Sequence, residues 1–480
     1  MEAKPLRRFL EIPYDELEEM NTSAKLQRQE RVDPATIAEE RRRYLHDEKR
    51  IKAVTVCFSD LEGRFHMLDY DKKFLLKSEG NLTFDGSSIR GFSQISESDL
   101  KLAIDWAAFY WLPCDIFGAG KVITFGAVQG QDGTPYHADF RSQLRVFTDE
   151  LYREKGIVMN VAPEIEGFLF AGGDAERSYY ESGAFEFIST GGYYHSLPQD
   201  PLRKFIDRAA EAQRALGLAN EKDHPEVAPS QFEMNFSYAD AVVAADQIQL
   251  YKLCCRQVAG TFGFSACFLP KPVAGINGNG MHCNMSLAKN GKNLFYDEQG
   301  KEGLSSYAWS FVDRILNNAV DICLVSNPSV NSYRRLDPNF EAPNQIKASA
   351  TNRASMVRIP LGNERTARIE FRSVAPDANP YLLLYTLLRT GLEGPLPDPA
   401  ELEGKRSRTR YLPDNIHDAI RLFKASRLAV DLLGEAAHGK YVELKQASAD
   451  RCPKELGAKV KRHEIMFHHE VTNQWLWNQF

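Results

Sequence analysis

Residues 163–170 read PEIEGFLF, which sets Glu164 and Glu166 two positions apart in an otherwise apolar run. Ile165, Phe168, Leu169 and Phe170 give this run the character of a buried strand. Side chains alternate faces along a strand, so residues i and i+2 project the same way. Two carboxylates on one buried face repel each other and lose hydration, a costly arrangement unless positive charge stands beside them.

Acidic residues recur in similar settings. Glu233 lies inside SQFEMNF, and Glu226 precedes it by seven positions in HPEVAPSQ. Glu370 lies in ARIEFRS, with Arg368 and Arg372 on its own face by the same alternation. His282 follows the glycine-rich loop in GINGNGMH. Any one of these could form a structural salt bridge. Together they are several carboxylates and one imidazole on separate strands, a donor set that suits Mg²⁺ or Mn²⁺, in one or two ions.

Arginine supplies the complement. Arg334, Arg335, Arg353, Arg358, Arg365, Arg368 and Arg372 crowd one region, and Arg358, Arg368 and Arg372 fall in strand-like apolar runs. Guanidinium pairs bidentately with carboxylate and phosphate. Acid-bound divalent ions facing arginines fit phosphoryl transfer, where catalysis is mostly positioning and charge neutralisation. A Walker loop and a kinase signature are both missing, and GINGNG does not match the dinucleotide fingerprint. The residues alone thus imply a metal-dependent enzyme handling phosphate and a small anionic substrate.

The rest of the chain is consistent with this. Its 480 residues carry a net charge of −6, which advertises neither a nucleic-acid nor a membrane partner. No apolar run approaches the roughly 18 residues that span a bilayer. The amino-terminal stretch lacks a signal-peptide core. Eight cysteines occur without a CxxC pair, as expected for reduced, buried thiols. These points predict a cytoplasmic protein. Residues 1–48 read as a helical extension, in which Asp33-Pro34 starts a highly charged, solvated helix. Short strands over 49–137 predict a small α+β domain, and residues 138–480 interleave helices and strands. PLRKFIDRAAEAQRAL, ADAVVAADQIQLYKLCCRQVAGTFG and SYAWSFVDRILNNAVDICLVSN each predict one long helix.

Lined up, FDGSSIRGFSQISESD (84–99), APEIEGFLF (162–170), GGYYHSLP (191–198), EVAPSQFEMNF (226–236), NGNGMHCNMSL (277–287), NPSVNSYRRLDPNFEAPN (327–344), ATNRASMVRIP (350–360) and ARIEFRSVAPDANPYL (367–382) closely resemble the glutamine synthetases, in the bacterial and archaeal type I group. LPDNIHDAI (412–420) and HHEVTNQW (468–475) look similar more weakly. The resemblance implies a small β-grasp domain before a larger catalytic domain whose antiparallel strands form a funnel shared between subunits. It implies two stacked six-membered rings. It implies ATP-dependent ligation of ammonia to the γ-carboxylate of glutamate through a γ-glutamyl phosphate, in nitrogen metabolism.

By position, the resemblance assigns Glu166, Glu226 and Glu233 to one ion, and Glu164, His282 and Glu370 to a second. Glutamate would meet Asn277, Gly278 and Arg335. The transferred phosphoryl group would meet Arg353 and Arg372. The nucleotide would meet Tyr238, Ser286, Arg353, Arg358, Arg365 and Arg368. Ammonia would meet Asp85 and Ser88 of a neighbouring subunit, with Tyr193, Glu226 and Glu341. The chain departs from the family where Asn284 replaces a frequent His, and Tyr238 and Arg365 replace a frequent Phe and Lys. Tyr411 falls near a tyrosine that some members adenylylate, but its surroundings differ, so that modification is not expected. An alternative is a sister ligase that takes a polyamine, ethanolamine or methylamine instead of ammonia, against which the unaltered ammonia residues speak. A non-catalytic scaffold of the same shape would not need every metal position filled.

Overall fold

A computed structural model describes residues 10–93, 98–195, 197–337 and 342–450. Strands β1 (Ala53–Ser59), β2 (Phe65–Asp71), β3 (Thr83–Asp85), β4 (Asp99–Trp111) and β5 (Lys121–Gln129) form one sheet in the order β2-β1-β5-β4-β3. Only the β1–β5 pair is parallel. The second sheet holds β6 (Ile157–Ala171), β7 (Asn220–Pro225), β8 (Gln231–Phe236), β9 (Ala239–Asp240), β10 (Phe264–Cys267), β11 (Met281–Lys289), β12 (Lys292–Asn293), β13 (Gln345–Ser349), β14 (Ser355–Arg358) and β15 (Ile369–Phe371). Its main path runs β13-β14-β15-β11-β6-β8-β7, antiparallel except at β13–β14.

β6 is the spine of this sheet, and its sequence explains why. From Ile157 to Gly167 burial alternates strictly, with Ile157, Met159, Val161 and Ile165 inward and Asn160, Ala162, Glu164 and Glu166 on the other face. The inward face packs against helices Phe140–Lys155 and Ala241–Thr261, and Pro380–Glu393 packs on both of these helices. Tyr251 on the second of these is fully buried and donates its hydroxyl to the Ile165 carbonyl at 3.0 Å. The backbone between the two glutamates is thus pinned from behind.

Helix starts follow the sequence signals. Asp33 caps Pro34–Asp47, Asp200 caps Pro201–Ala215, and Asn379 caps Pro380–Glu393, each with Pro at the first position. Gly217 follows Pro201–Ala215 at φ +74°. SYAWSFVDRILNNAVDICLVSN departs from the single helix expected of it. It forms Ser306–Asn317 and Ala319–Ser326, broken at Asn318. The Asn318 amide donates back to the Arg314 carbonyl and across to Pro395, competing with the helical ladder.

The amino-terminal segment is also less solvated than its charge suggests. α1 (Tyr14–Gln29) and α2 (Pro34–Asp47) both lie on β4. Ile37, Ala38, Arg41 and Leu45 of α2 are buried, with the Arg41 guanidinium over the Trp111 ring at 5.2 Å. The long stem of arginine lets a charged residue cover apolar surface. Asn21 of α1 is buried and ties two parts of the chain together. Its amide donates to the carbonyls of Trp111 and Ala215 at 2.9 and 2.7 Å, and its oxygen accepts the Trp111 N–H.

The last described helix, Glu435–Ala449, is tied to the turn between β1 and β2 by a buried ion pair. Lys445 Nζ lies 2.8 Å from Glu62 Oε1, and Arg64 lies 2.7 Å from Glu62 Oε2. Burial alone would raise the Glu62 carboxyl, but Lys445 and Arg64 hold it down to about 2. A carboxyl depressed in the folded state stabilises the fold above its unfolded value, and that contribution is lost as pH falls through the folded value. Acid unfolding should therefore steepen between the ordinary carboxylate range and about pH 2. Unfolding midpoints of Glu62→Gln across that range should show a flatter acid limb than the wild type.

Among the described residues no helix is long and apolar enough to cross a membrane. Every described cysteine except Cys114 is buried.

Candidate active site

The strand register assembles the site. On β11, His282 stands opposite Glu164 of β6. On β8, Glu233 stands opposite Glu166. On β15, Glu370 stands opposite Asn284 of β11 and Arg358 of β14. Residues opposite one another share a face, so β14, β15, β11, β6 and β8 present one continuous row of acids, an imidazole and a guanidinium.

Two donor clusters result. In the first, His282 Nδ1 lies 3.6 Å from both Glu164 Oε2 and Glu370 Oε1. In the second, His224, Glu226 and Glu233 each place one donor atom within 4.8 Å of the others. Glu166 lies beside the second cluster, with Oε2 accepting the Gly280 N–H at 2.6 Å. His224 went unremarked in the sequence, although it lies two residues before Glu226, the same spacing that singled out Glu164 and Glu166.

The electrostatics are those of a site short of positive charge. Burial, then Glu166 and Glu233, push the Glu226 carboxyl up to about 9. Burial also raises Glu166, with Glu233 adding to it and His282 and Arg335 opposing. Burial would raise Glu164 too, but the His282 imidazole and the Asn284 amide hold it at about 2. Four carboxylates here are served by too few cations, and divalent ions would reverse this balance. The oxygen and imidazole donors fit Mg²⁺ or Mn²⁺. The His224 Nε2, buried and without a hydrogen-bond partner, fits the same reading.

The arginines flank the first cluster. Arg358 Nη1 donates to Glu370 Oε2 at 2.7 Å, and Arg372 Nε lies 3.1 Å from Glu370 Oε1. Arg368 Nε donates to Asn284 Oδ1 at 2.9 Å, so Asn284 links this arginine to Glu164. Arg353 is exposed, and its carbonyl accepts from Arg372 Nη1 at 2.6 Å. Arg335 ends helix Val330–Arg335 and is buried. Its Nη2 donates to the Arg372 carbonyl, its Nη1 has no partner, and burial lowers its pKa to about 10. A buried guanidinium with an unpartnered Nη1 is a receptor for an anionic group.

The glycine-rich loop closes against Arg335. A Cβ at Gly278 would fall 2.3 Å from the Pro270 oxygen, and one at Gly280 would fall 2.7 Å from Arg335 Nη2. The loop is fastened by Asn279, which donates to the Leu269 carbonyl and accepts from Gln231. Asn277 stays half-buried beside it.

The remaining residues sit further out. Tyr193 is exposed, shares a hydroxyl hydrogen bond with Tyr194, and meets the His224 ring edge at 5.5 Å. Asp85 and Ser88 are exposed on the small sheet, joined at 2.5 Å, and no hydrogen bond or ion pair among the described residues connects them to the glutamates. Ser286 is half-buried opposite Asn160. Tyr238 and Arg365 are exposed. Glu341 lies outside the described residues.

Comparison with known proteins bears on this arrangement. Residues 137–465 match the family profile described as glutamine synthetase, catalytic domain, and residues 50–125 match that described as glutamine synthetase, beta-grasp domain. A protein of Clostridium saccharobutylicum named glutamine synthetase is 37% identical over 421 residues, covering 84% of this chain and 93% of that one. One of Methanosarcina mazei with the same name is 36% identical over 420 residues, covering 84% and 92%. Among solved structures, a complex of GmaS with ADP superposes with a TM-score of 0.74 at 28% identity, covering 90% of this chain and 99% of that one. A cryo-EM structure of Plasmodium falciparum glutamine synthetase superposes with a TM-score of 0.78 over 88% and 98%; at 22% identity that likeness speaks to the fold.

Proposed function

The chain belongs to the glutamine synthetase family, and from that premise we propose that it joins ammonia to the γ-carboxylate of glutamate at the expense of ATP. It is a ligase with the family's β-grasp and catalytic domains. The observation that carries the finer reading is the row of Glu164, Glu166, Glu233, His282 and Glu370 on one sheet face, edged by Arg335, Arg358 and Arg372.

In this reading Arg335 and the loop at Asn277 and Gly278 orient glutamate, with the free Nη1 of Arg335 taking a carboxylate. Glu166, Glu226 and Glu233 would hold one divalent ion, and Glu164, His282 and Glu370 a second. When bound, these ions supply charge neutralisation between the carboxylates and the nucleotide phosphates. A γ-carboxylate oxygen attacks the terminal phosphorus of ATP, and ADP leaves. Arg353 and Arg372 would steady the transferred group, while Arg358, Arg368, Ser286, Tyr238 and Arg365 would hold the nucleotide; the GmaS–ADP complex supports a nucleotide here. Ammonia then attacks the acyl carbon and phosphate departs, giving glutamine. Asp85 and Ser88 of a neighbouring subunit, with Tyr193, Glu226 and Glu341, would cage ammonium, and a carboxylate would take its proton.

The type I grouping, a dodecamer of two hexameric rings, cytoplasmic residence and the division into 1–48, 49–137 and 138–480 belong to the same reading. A second reading has one observation behind it. Tyr193 and Tyr194 stack at 3.9 Å and are both exposed beside the acids, a surface that could seat the alkyl part of an organic amine.

One assay separates the two. Phosphate release is followed with ATP, Mg²⁺ or Mn²⁺ and glutamate, with ammonium or with a panel of polyamine, ethanolamine and methylamine. Ammonium should stimulate strongly, with glutamine as product. Stimulation only by an organic amine would replace the first reading by the second. Asp85→Ala should lower ammonium-dependent turnover by on the order of 10²-fold or more, while metal binding survives.

A further inference from the structure

The His224 imidazole lies in the second donor cluster, with Glu226 and Glu233. Its position is unusually well fixed. His224 stands opposite Glu233 in the β7–β8 register. Its Nδ1 lies 3.0 Å from the Pro225 carbonyl, an acceptor only, so Nδ1 carries the proton and donates. The same carbonyl accepts the Tyr194 N–H at 3.3 Å. Tyr194 itself is held at φ +60°, a backbone state rare for an aromatic residue. Both tyrosine rings stand edge-on to the imidazole, at 5.5 and 4.7 Å.

That fixes the tautomer and leaves the Nε2 lone pair as the free end of the ring. The residue is 5% exposed, and Nε2 has no hydrogen-bond partner. Nε2 lies 3.6 Å from Glu233 Oε1, beyond hydrogen-bond range, and Glu226 Oε1 lies 3.7 Å from Nδ1 on the other side of the ring, with the three residues' donor atoms within 4.8 Å of one another. A buried lone pair turned toward the Glu233 carboxylate is a position that a cation between them would satisfy. The spacing suits one. Donors at right angles on an ion with bonds of about 2.1 Å lie about 3 Å apart, and opposite donors about 4.2 Å. The separation here falls between these, as does the 3.6 Å spacing around His282. An N–H given to a backbone carbonyl is how ligating histidines are commonly oriented.

We infer that His224 Nε2 is a direct ligand of the ion held by Glu226 and Glu233, so that each of the two ion sites contains one imidazole. The inference rests on the two-ion reading above. It has a consequence for selectivity. Mg²⁺ takes oxygen donors almost exclusively, whereas imidazole suits Mn²⁺. A site with His224 in it discriminates toward Mn²⁺, and the preference resides in this residue.

The test uses the full-length chain loaded with Mn²⁺ and labelled with ¹⁵N-histidine. Electron spin-echo modulation counts histidine nitrogens bound to Mn²⁺, and titration gives the affinity of each site. The wild type should show two ions, each with one nitrogen. In His282→Gln one nitrogen coupling should remain, assigned to His224. In His224→Gln the other should remain, with Mn²⁺ binding about tenfold or more weaker at one site and the Mn²⁺-over-Mg²⁺ preference reduced there. Two bound ions in the wild type with no nitrogen left in His282→Gln would overturn the inference and leave the two-ion reading standing. Failure of the wild type to bind Mn²⁺ at these acids would overturn both. The His282→Gln measurement keeps His224 in place, so it decides the matter even if His224→Gln does not fold.

Discussion

Asp246→Ala should lower the stability of the folded chain by about 3–5 kcal/mol. Asp246 is 0% exposed. Its Oδ1 accepts from Arg141 Nε at 2.7 Å and from the Tyr381 hydroxyl at 2.8 Å. Its Oδ2 accepts from Arg141 Nη2 at 2.9 Å and from Arg28 Nη2 at 3.1 Å. Arg141 also reaches Asp105 of β4, and its guanidinium lies over the Phe125 ring of β5. One carboxylate therefore joins α1, the helices that back the large sheet, and, through Arg141, the small sheet. Removing it leaves two buried guanidinium groups short of an anion, with a penalty that exceeds the net worth of the intact pair. Arg28→Ala should cost less, because Asp246 would keep its two-pronged bond to Arg141 and the Tyr381 hydroxyl. Thermal unfolding midpoints should rank Asp246→Ala well below Arg28→Ala, and both below wild type. Equal midpoints for the two variants would mean that the carboxylate holds only α1.

This network also marks where the sequence is hard to read. Asp246 lies in a long apolar helix, Arg141 near the start of another, and Arg28 in the charged extension, with nothing in spacing or composition to link them. Their meeting depends on how helices and sheets pack, which local patterns do not encode. The buried face of α2 escaped for the same reason. Arg41 reads as solvated until Trp111 is placed beneath it. The active-site row, by contrast, is legible because it follows strand alternation. Glu164 and Glu166 declare their shared face from two-residue spacing, whereas the register that sets His282 and Glu233 opposite them is given by the folded sheet. His224 was open to the same rule and was hidden by its position at the end of β7, where Pro225 interrupts the alternating pattern. The break at Asn318 was hidden differently. It depends on the Pro395 carbonyl, far along the chain.

Glu370→Gln should reduce metal-dependent phosphate release by about 10³-fold or more, several kcal/mol of transition-state stabilisation, with little change in folding. Glu370 is 2% exposed and faces three cationic or ligating groups at once: His282 Nδ1, Arg358 Nη1 and Arg372 Nε. Glutamine keeps the shape of the side chain and one acceptor oxygen, so β15 should still pair with β11 and β14. It removes the negative charge. The ion proposed beside Glu164 and His282 would lose one of two carboxylates, and Arg358 and Arg372 would face each other with less between them. Guanidinium groups released from Glu370 are then freer to hold phosphate anions non-productively, so nucleotide binding should fall far less than turnover. The measurement pairs steady-state phosphate release with Mn²⁺ stoichiometry. Turnover should collapse while the number of tightly bound ions drops from two to one. A collapse in turnover with both ions retained would make Glu370 an organiser of the arginines instead of a ligand. Unchanged turnover would remove this residue from the chemistry altogether.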